Sequence, residues 1–209
     1  MKKTILSLTT LTTAVLLTLG AGCGTTTQTQ TQTQKPTNTT ATNTNTNTAT
    51  VTTFNEEATN AEITAEKNGQ WATSATASTQ YGTDSWSAKQ ATAEPNVETY
   101  GDNSRAWAPA EKNKGTQTLE LTYTKAAVPT GIRIHENLGS GAVSKVEVKN
   151  IDGEYKTVWQ GTDKTEGLAY LQLPVTGVTD KVNGVKITVD TTKAPTDWVE
   201  IDAVQLVGE

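Results

Sequence analysis

The stretch Thr130–Gly161, TGIRIHENLGSGAVSKVEVKNIDGEYKTVWQG, decides the fold. In Ile132–Ile134 and Val146–Val148 apolar residues fall on every second position, with Arg133, His135, Lys145 and Glu147 among them. Alternation of that kind predicts strands with one face on a core and the other towards water. Asp152-Gly153 is the strongest turn signal in the chain, because Asp-Gly supplies the positive φ angles of a tight hairpin. Val143–Asn150 and Glu154–Trp159 are therefore expected to pair antiparallel, with Gly139 and Gly141 marking the turn before them. A sheet with one apolar face needs a second layer, so this unit implies a sandwich.

Outward from that stretch, composition narrows the class. The chain has 209 residues and a formal net charge of -5. An acidic balance argues against a nucleic-acid partner, whose binding rests on cationic side chains that displace counterions. One cysteine leaves no intrachain disulfide. The fold must stand on its core or on a bound ion. One histidine and one methionine leave little scope for histidine-rich metal sites or a Met-lined groove.

The N-terminus reads as an export signal over residues 1–22. Met1-Lys2-Lys3 is basic, Ile5–Leu19 is apolar and uncharged, and small residues precede Cys23. The apolar run is too short for a membrane span. Gly20-Ala21-Gly22-Cys23 resembles the lipobox of bacterial lipoproteins, although the usual leucine three positions before the cysteine is Gly20 here. The resemblance implies a diacylglyceryl thioether on Cys23 and attachment to the bacterial membrane. Acyl chains contribute roughly 0.8 kcal/mol per buried CH2, so several of them anchor firmly. The alternative is simple secretion after cleavage near Ala21 or Gly22, which would leave a lone free thiol.

Residues 23–53 are built almost wholly from Thr, Gln, Asn and Ala, including TQTQTQTQ and TNTTATNTNTNTAT. No aliphatic periodicity exists to offset the entropy of ordering, so a disordered tether is expected. Fully extended it would reach about 100 Å. An O-glycosylated stalk is the other reading of so much threonine.

Residues 54–209 form one predicted domain. Ala61–Ala65 and Trp71–Thr79 read as strands, Trp86–Ala91 as a short helical turn and Tyr100–Pro109 as a loop. Further strands are expected over Gln117–Tyr123, Leu168–Pro174, Gly184–Asp190 and Asp197–Val207. Eight or nine short strands with almost no helix predict an all-β sandwich, a jelly roll or an immunoglobulin-like fold. No Cys-Trp-Cys pattern supports the second.

Seven motifs then occur in order: ATASTQYG (75–82), WSAKQAT (86–92), YGDNSRAWAPA (100–110), TGIRIHE (130–136), GAVSKVEV (141–148), DGEYKTVWQGTD (152–163) and WVEIDAVQLVG (198–208). The series resembles a branch of the galactose-binding-like (discoidin-like) jelly rolls, the SD scarf module repeated in pappalysins and bacterial surface proteins. Ala93-Glu94 departs from the Gly-Ala that relatives tend to carry before the proline. The resemblance implies a two-sheet sandwich used for binding or adhesion. It transmits no ligand, because such modules share the scaffold and differ in their loops.

Candidate chemistry is sparse. Trp71, Trp86, Trp107, Trp159 and Trp198 can stack on sugar rings or simply pack a core. Trp86 and Trp107 lie in loop-like stretches and are the leading ligand candidates. Arg105, Arg133 and His135 could fix hydroxyls or a carboxylate. For Arg133 and His135 the alternative is a solvated sheet face paired to Glu136 or Glu147. Asp102, Glu200 and Asp202 are candidate ligands for a structural Ca2+, Glu200 because related jelly rolls hold the ion partly through an acidic residue near the last strand. No GxSxG, HExxH or P-loop pattern occurs, and a non-catalytic module is expected. The expected partner is a glycan, a cell-wall polymer or an envelope protein. The contrasting expectation is a structural module that holds an envelope assembly together and has no small ligand.

Overall fold

The computed structural model describes residues 54–209. The export signal, Cys23 and the tether lie outside the described residues. Two antiparallel sheets face each other. One has the order β1 (Gly69–Trp71), β9 (Glu200–Gly208), β4 (Pro129–Leu138), β7 (Ala169–Pro174). The other has the order β2 (Ser74–Ala77), β3 (Thr116–Ala127), β8 (Val182–Asp190), β5 (Val143–Asn150), β6 (Tyr155–Gln160). This is a two-sheet jelly-roll sandwich.

The alternation in the sequence sets the core. Ile132 and Ile134 of β4 lie opposite Leu206 and Val204 of β9. Leu119 and Leu121 pair with Ile187 and Val185, which in turn pair with Val146 and Val148. All ten side chains are buried in one cluster between the sheets. Burying each Leu, Ile or Val of this kind stabilises by roughly 1.5–3 kcal/mol.

The hairpin β5–β6 forms as expected, but its turn is longer than a two-residue one. Asn150 Oδ1 accepts from the backbone N–H of Asp152 and Glu154, at 3.0 and 2.8 Å, and Gly153 alone has positive φ, 90°. Gly139 and Gly141 also sit at positive φ, 63° and 98°, in the β4–β5 turn.

Two expected strands differ. Ala61–Ala65 is a helix, α1, over Asn60–Thr64. Thr59 Oγ1 accepts from the Glu62 N–H while Glu62 accepts from the Thr59 N–H, a capping box that closes the first turn. Trp71–Thr79 is two strands, because the chain changes sheets at Ala72-Thr73. The Ala72 N–H donates to Val204 in one sheet and the Thr73 N–H to Thr122 in the other. Ala88–Ala91 is a single 3-10 turn.

The segment Phe54–Glu66 lies across the outer face of the four-stranded sheet. Arg133 projects from β4 on that face, between Gln172 of β7 and Gln205 of β9. Its Nε donates to Gln172 (3.1 Å), Nη1 to Gln205 (2.8 Å) and Nη2 to the Asn55 carbonyl (3.3 Å). The Phe54 ring stacks 4.6 Å from the guanidinium carbon. Gln172 and Gln205 donate onward to the carbonyls of Ala58 and Ile63. Ile63 closes the cover, fully buried.

Candidate functional site

A cleft of about 140 Å3 opens between loops at one end of the sandwich, lined by Tyr81, Trp86, Asp102, Ala108, Trp198 and Glu200. Tyr81 stands edge-on to two indoles, 5.5 Å from Trp86 at 80° and 5.3 Å from Trp198 at 82°. Such T-shaped contacts suit the ring quadrupoles and hold the rings in place. Tyr81 is 57% exposed at the cleft.

The loops owe this shape to local backbone constraints. A Cβ at Gly82 would strike the Ser85 carbonyl, so the turn after Tyr81 needs glycine. Trp86 has φ 54°, the left-handed region that costs a non-glycine residue about 1–2 kcal/mol. Its N–H donates to the Ser104 carbonyl and its carbonyl accepts from Ala108, which laces the two loops together. Strain of this sort persists only where the surroundings over-determine it.

The polar wall of the cleft is Asp102 and Glu200. Asp102 Oδ1 accepts from Trp86 Nε1 at 2.9 Å. Glu200, buried at the start of β9, accepts from the Asn103 N–H (3.0 Å) and from Asn137 Nδ2 (2.5 Å). Burial raises the Glu200 pKa to about 7, and the hydrogen bond with Asp102 adds to the rise, while Asn137 and Asn103 oppose it. The arrangement suits binding: flat apolar rings beside acceptors for hydroxyl groups.

Of the residues singled out from sequence, Trp86, Asp102 and Glu200 meet in this cleft. Arg105 does not line it. It is exposed on the same loop, with its Nε 3.4 Å from Asn103 Oδ1. Trp107 is fully buried, tied to β9 by a bridge to Ile201, with Nε1 donating to the Thr79 carbonyl. It is core and closed to a ligand. Arg133 and His135, ligand candidates with a solvated sheet face as the alternative, are buried as well, which fits neither reading. Arg133 holds the Phe54–Glu66 segment, and its ion-pair partner is Glu66 at 3.9 Å rather than Glu136 or Glu147. His135 Nδ1 lies 2.8 Å from Asp202 Oδ2, and its ring packs 4.5 Å from that of Tyr170. Tyr81 was not among the sequence candidates, and Trp198 was one of five indoles with nothing local to rank it.

Of the three carboxylates proposed for calcium, Asp102 and Glu200 share the cleft and Asp202 does not line it. Asp202 Oδ2 accepts from the backbone N–H of Asn96 and Val97, at 3.0 and 3.2 Å, besides His135. Donors turned onto a carboxylate are the wrong polarity for a cation, although Asp202 Oδ1 has no partner. Glu200 is engaged by Asn103, Asn137 and Asp102. Among the described residues no group of three or more His, Cys, Asp or Glu gathers as a metal site. Asp102, Asp202 and Glu200, the last placed there by the family resemblance, therefore do not assemble into one set of calcium ligands.

Comparison with solved structures finds the same fold at low identity. The family 32 carbohydrate-binding module of C. perfringens NanJ, solved with galactose, matches with a TM-score of 0.50 and 17% identity over 66% of this chain and 98% of that one. A second family 32 module of Clostridium perfringens, solved with GalNAc-β-1,3-galactose, matches with a TM-score of 0.50 and 13% identity over 68% and 96%. A chain of the complex of reduced XRCC1 with the DNA polymerase β catalytic domain matches with a TM-score of 0.50 and 17% identity over 68% and 97%. Comparison with curated protein sequences gives no match. The sequence model described as "Pappalysin-1, SD scarf domain, C-terminal" matches residues 61–209, and the chain belongs to that SD scarf family.

Proposed function

We propose that this chain is a non-catalytic binding module that takes a carbohydrate, as a glycan or a cell-wall polymer, in the cleft of Tyr81, Trp86 and Trp198. The observation that carries the reading is the set of three aromatic rings standing around the Asp102–Glu200 carboxyls at an open loop end. Aromatic faces cover the apolar face of a pyranose, and carboxyls accept from its hydroxyls. Two of the structures with this fold hold galactose and a GalNAc-β-1,3-galactose disaccharide, which supports the substrate class. The proposed setting is the cell envelope, with the chain exported and anchored through a lipid on Cys23.

The test is a screen of the full chain, purified in detergent, against arrayed glycans and cell-wall polymers, with Tyr81→Ala and Trp198→Ala beside it. A saccharide hit that both variants weaken at least tenfold, with circular dichroism unchanged, is the expected result. Wild-type binding in both variants would move the site elsewhere. A blank array with a folded chain would favour a protein partner, the use that the XRCC1 complex makes of the same fold.

A further inference from the structure

The charge that lines the cleft is of one sign. Its charged groups are the carboxyls of Asp102 and Glu200, and among the described residues no Lys, Arg or His lines it. Lysines that approach its loops are already paired. Lys112 Nζ lies 2.6 Å from Asp197, the residue before Trp198, and Lys89 Nζ lies 3.7 Å from Asp84, just ahead of Ser85 and Trp86. Arg105 turns its Nε to Asn103 Oδ1.

The two carboxyls are held in place. Glu200, 1% exposed, accepts from the Asn103 N–H and from Asn137 Nδ2, and Asn137 Nδ2 also donates to the Gly101 carbonyl at 3.1 Å. The Gly101 N–H returns a bond to the Asn137 carbonyl at 2.9 Å, so the residue before Asp102 is gripped twice. Trp86 Nε1 occupies only Oδ1 of Asp102. Among the described residues no N–H donates to Oδ2, and Asp102 is exposed. Beside it Glu200 is pushed up to about 7, by burial first and by contact with Asp102 as well. Two carboxyls in contact repel when both are charged, and a positive group brought from outside relieves that repulsion.

An ammonium suits this lining where Ca2+ does not. Ca2+ takes six to eight oxygens, whereas an ammonium carries three donors on one compact charge and is satisfied by a carboxylate oxygen together with water. Charge-assisted bonds of that kind are about twice as strong as neutral ones, and Trp and Tyr rings attract the same cation. A carboxylate on the ligand would meet Asp102 and Glu200 as like charge, and an N-acetyl group gives up the cation. We propose that the cleft selects a saccharide bearing a free ammonium, a hexosamine without its N-acetyl group, over neutral and acidic sugars of the same ring. The preference rests on the carbohydrate reading above and narrows it to a class.

The experiment sets the full chain, purified in detergent, against multivalent conjugates of galactosamine, galactose, N-acetylgalactosamine and galacturonic acid, and of their glucose counterparts. An ethanolamine conjugate of equal density reports attraction by net charge alone. A hexosamine is expected to bind at least tenfold more tightly than its neutral, N-acetylated and acidic counterparts and than ethanolamine. Raising NaCl from about 0.05 to about 0.5 M shrinks that ratio. Asp102→Asn keeps an acceptor for Trp86 Nε1 and removes the charge, so the ratio of hexosamine to neutral sugar falls to within about twofold. Because the ratio is read, a general loss of affinity does not count as support. Glu200→Gln takes its place if Asp102→Asn does not fold. A neutral or N-acetylated sugar bound as tightly as its hexosamine overturns the preference and leaves the carbohydrate reading standing. A preference that Asp102→Asn retains, or an ethanolamine signal equal to the hexosamine's, overturns it too. A blank across every sugar removes the carbohydrate reading itself, and the preference with it.

Discussion

The outer faces of the two sheets repeat one arrangement under opposite conditions. On the four-stranded sheet, Gln172, Arg133 and Gln205 stand in a row across β7, β4 and β9. On the five-stranded sheet, Glu120, Lys186 and Glu147 stand in a row across β3, β8 and β5. Each row centres on a cation. The first is dry beneath Phe54–Glu66, and its guanidinium spends its donors on amide and carbonyl oxygens at 2.8–3.3 Å. The second is wetter: Lys186 sits 3.9 Å from each glutamate and 3.5 Å from the centre of the Tyr155 ring. A planar fork of five donors can be buried if each finds an oxygen. An ammonium beside two carboxylates keeps its water, and loose pairs of that kind contribute little.

The contrast can be broken by mutation. Arg133→Ala removes the centre of the buried row and leaves two glutamines and a carbonyl short of a partner. A loss of about 3–5 kcal/mol in urea unfolding is expected. A loss below about 1 kcal/mol would mean that the Phe54–Glu66 segment is not clamped by this side chain. Gln205→Ala sharpens the point, because Gln205 joins Arg133 Nη1 to the Ile63 carbonyl. It is expected to cost about 1–3 kcal/mol and to speed amide exchange in α1. Lys186→Ala, the matching change on the open sheet, should cost under about 1 kcal/mol. A larger value there would place the two rows on the same footing.

The same contrast explains what the sequence could tell. Alternation in Ile132–Ile134 and Val146–Val148 named the core positions correctly, since period two depends only on the strand itself. It could not say whether Arg133 or Lys186 is dry, because the cover over Arg133 comes from Phe54–Glu66, far away along the chain. The cover departs from the expected strand over Ala61–Ala65, because Asn60–Thr64 form α1. The signal that corrects it was present: Thr59 and Glu62 ahead of Ile63 form the capping-box pattern. Trp86 and Trp107 looked alike in turn-rich sequence. The bridge from Trp107 to Ile201, ninety-odd residues apart, turns one indole into the core and leaves the other at the cleft. Tyr81 gave no signal beyond its own ring. Glu136 entered the reading only as an ion-pair partner for Arg133 or His135, and packing buries it away from both. Ala93 is a fainter case. It adopts φ 68°, a conformation that suits the glycine relatives carry there.

The cover over Arg133 also has a mechanical meaning. A pull applied at Phe54 does not load a strand ladder first. It loads a cation–π contact and side-chain hydrogen bonds to the carbonyls of Asn55, Ala58 and Ile63. These can open one after another, like a peeled strip, before tension reaches β1 and its short pairing with β9. The sandwich thereby carries a leading element held by side chains rather than by a strand ladder.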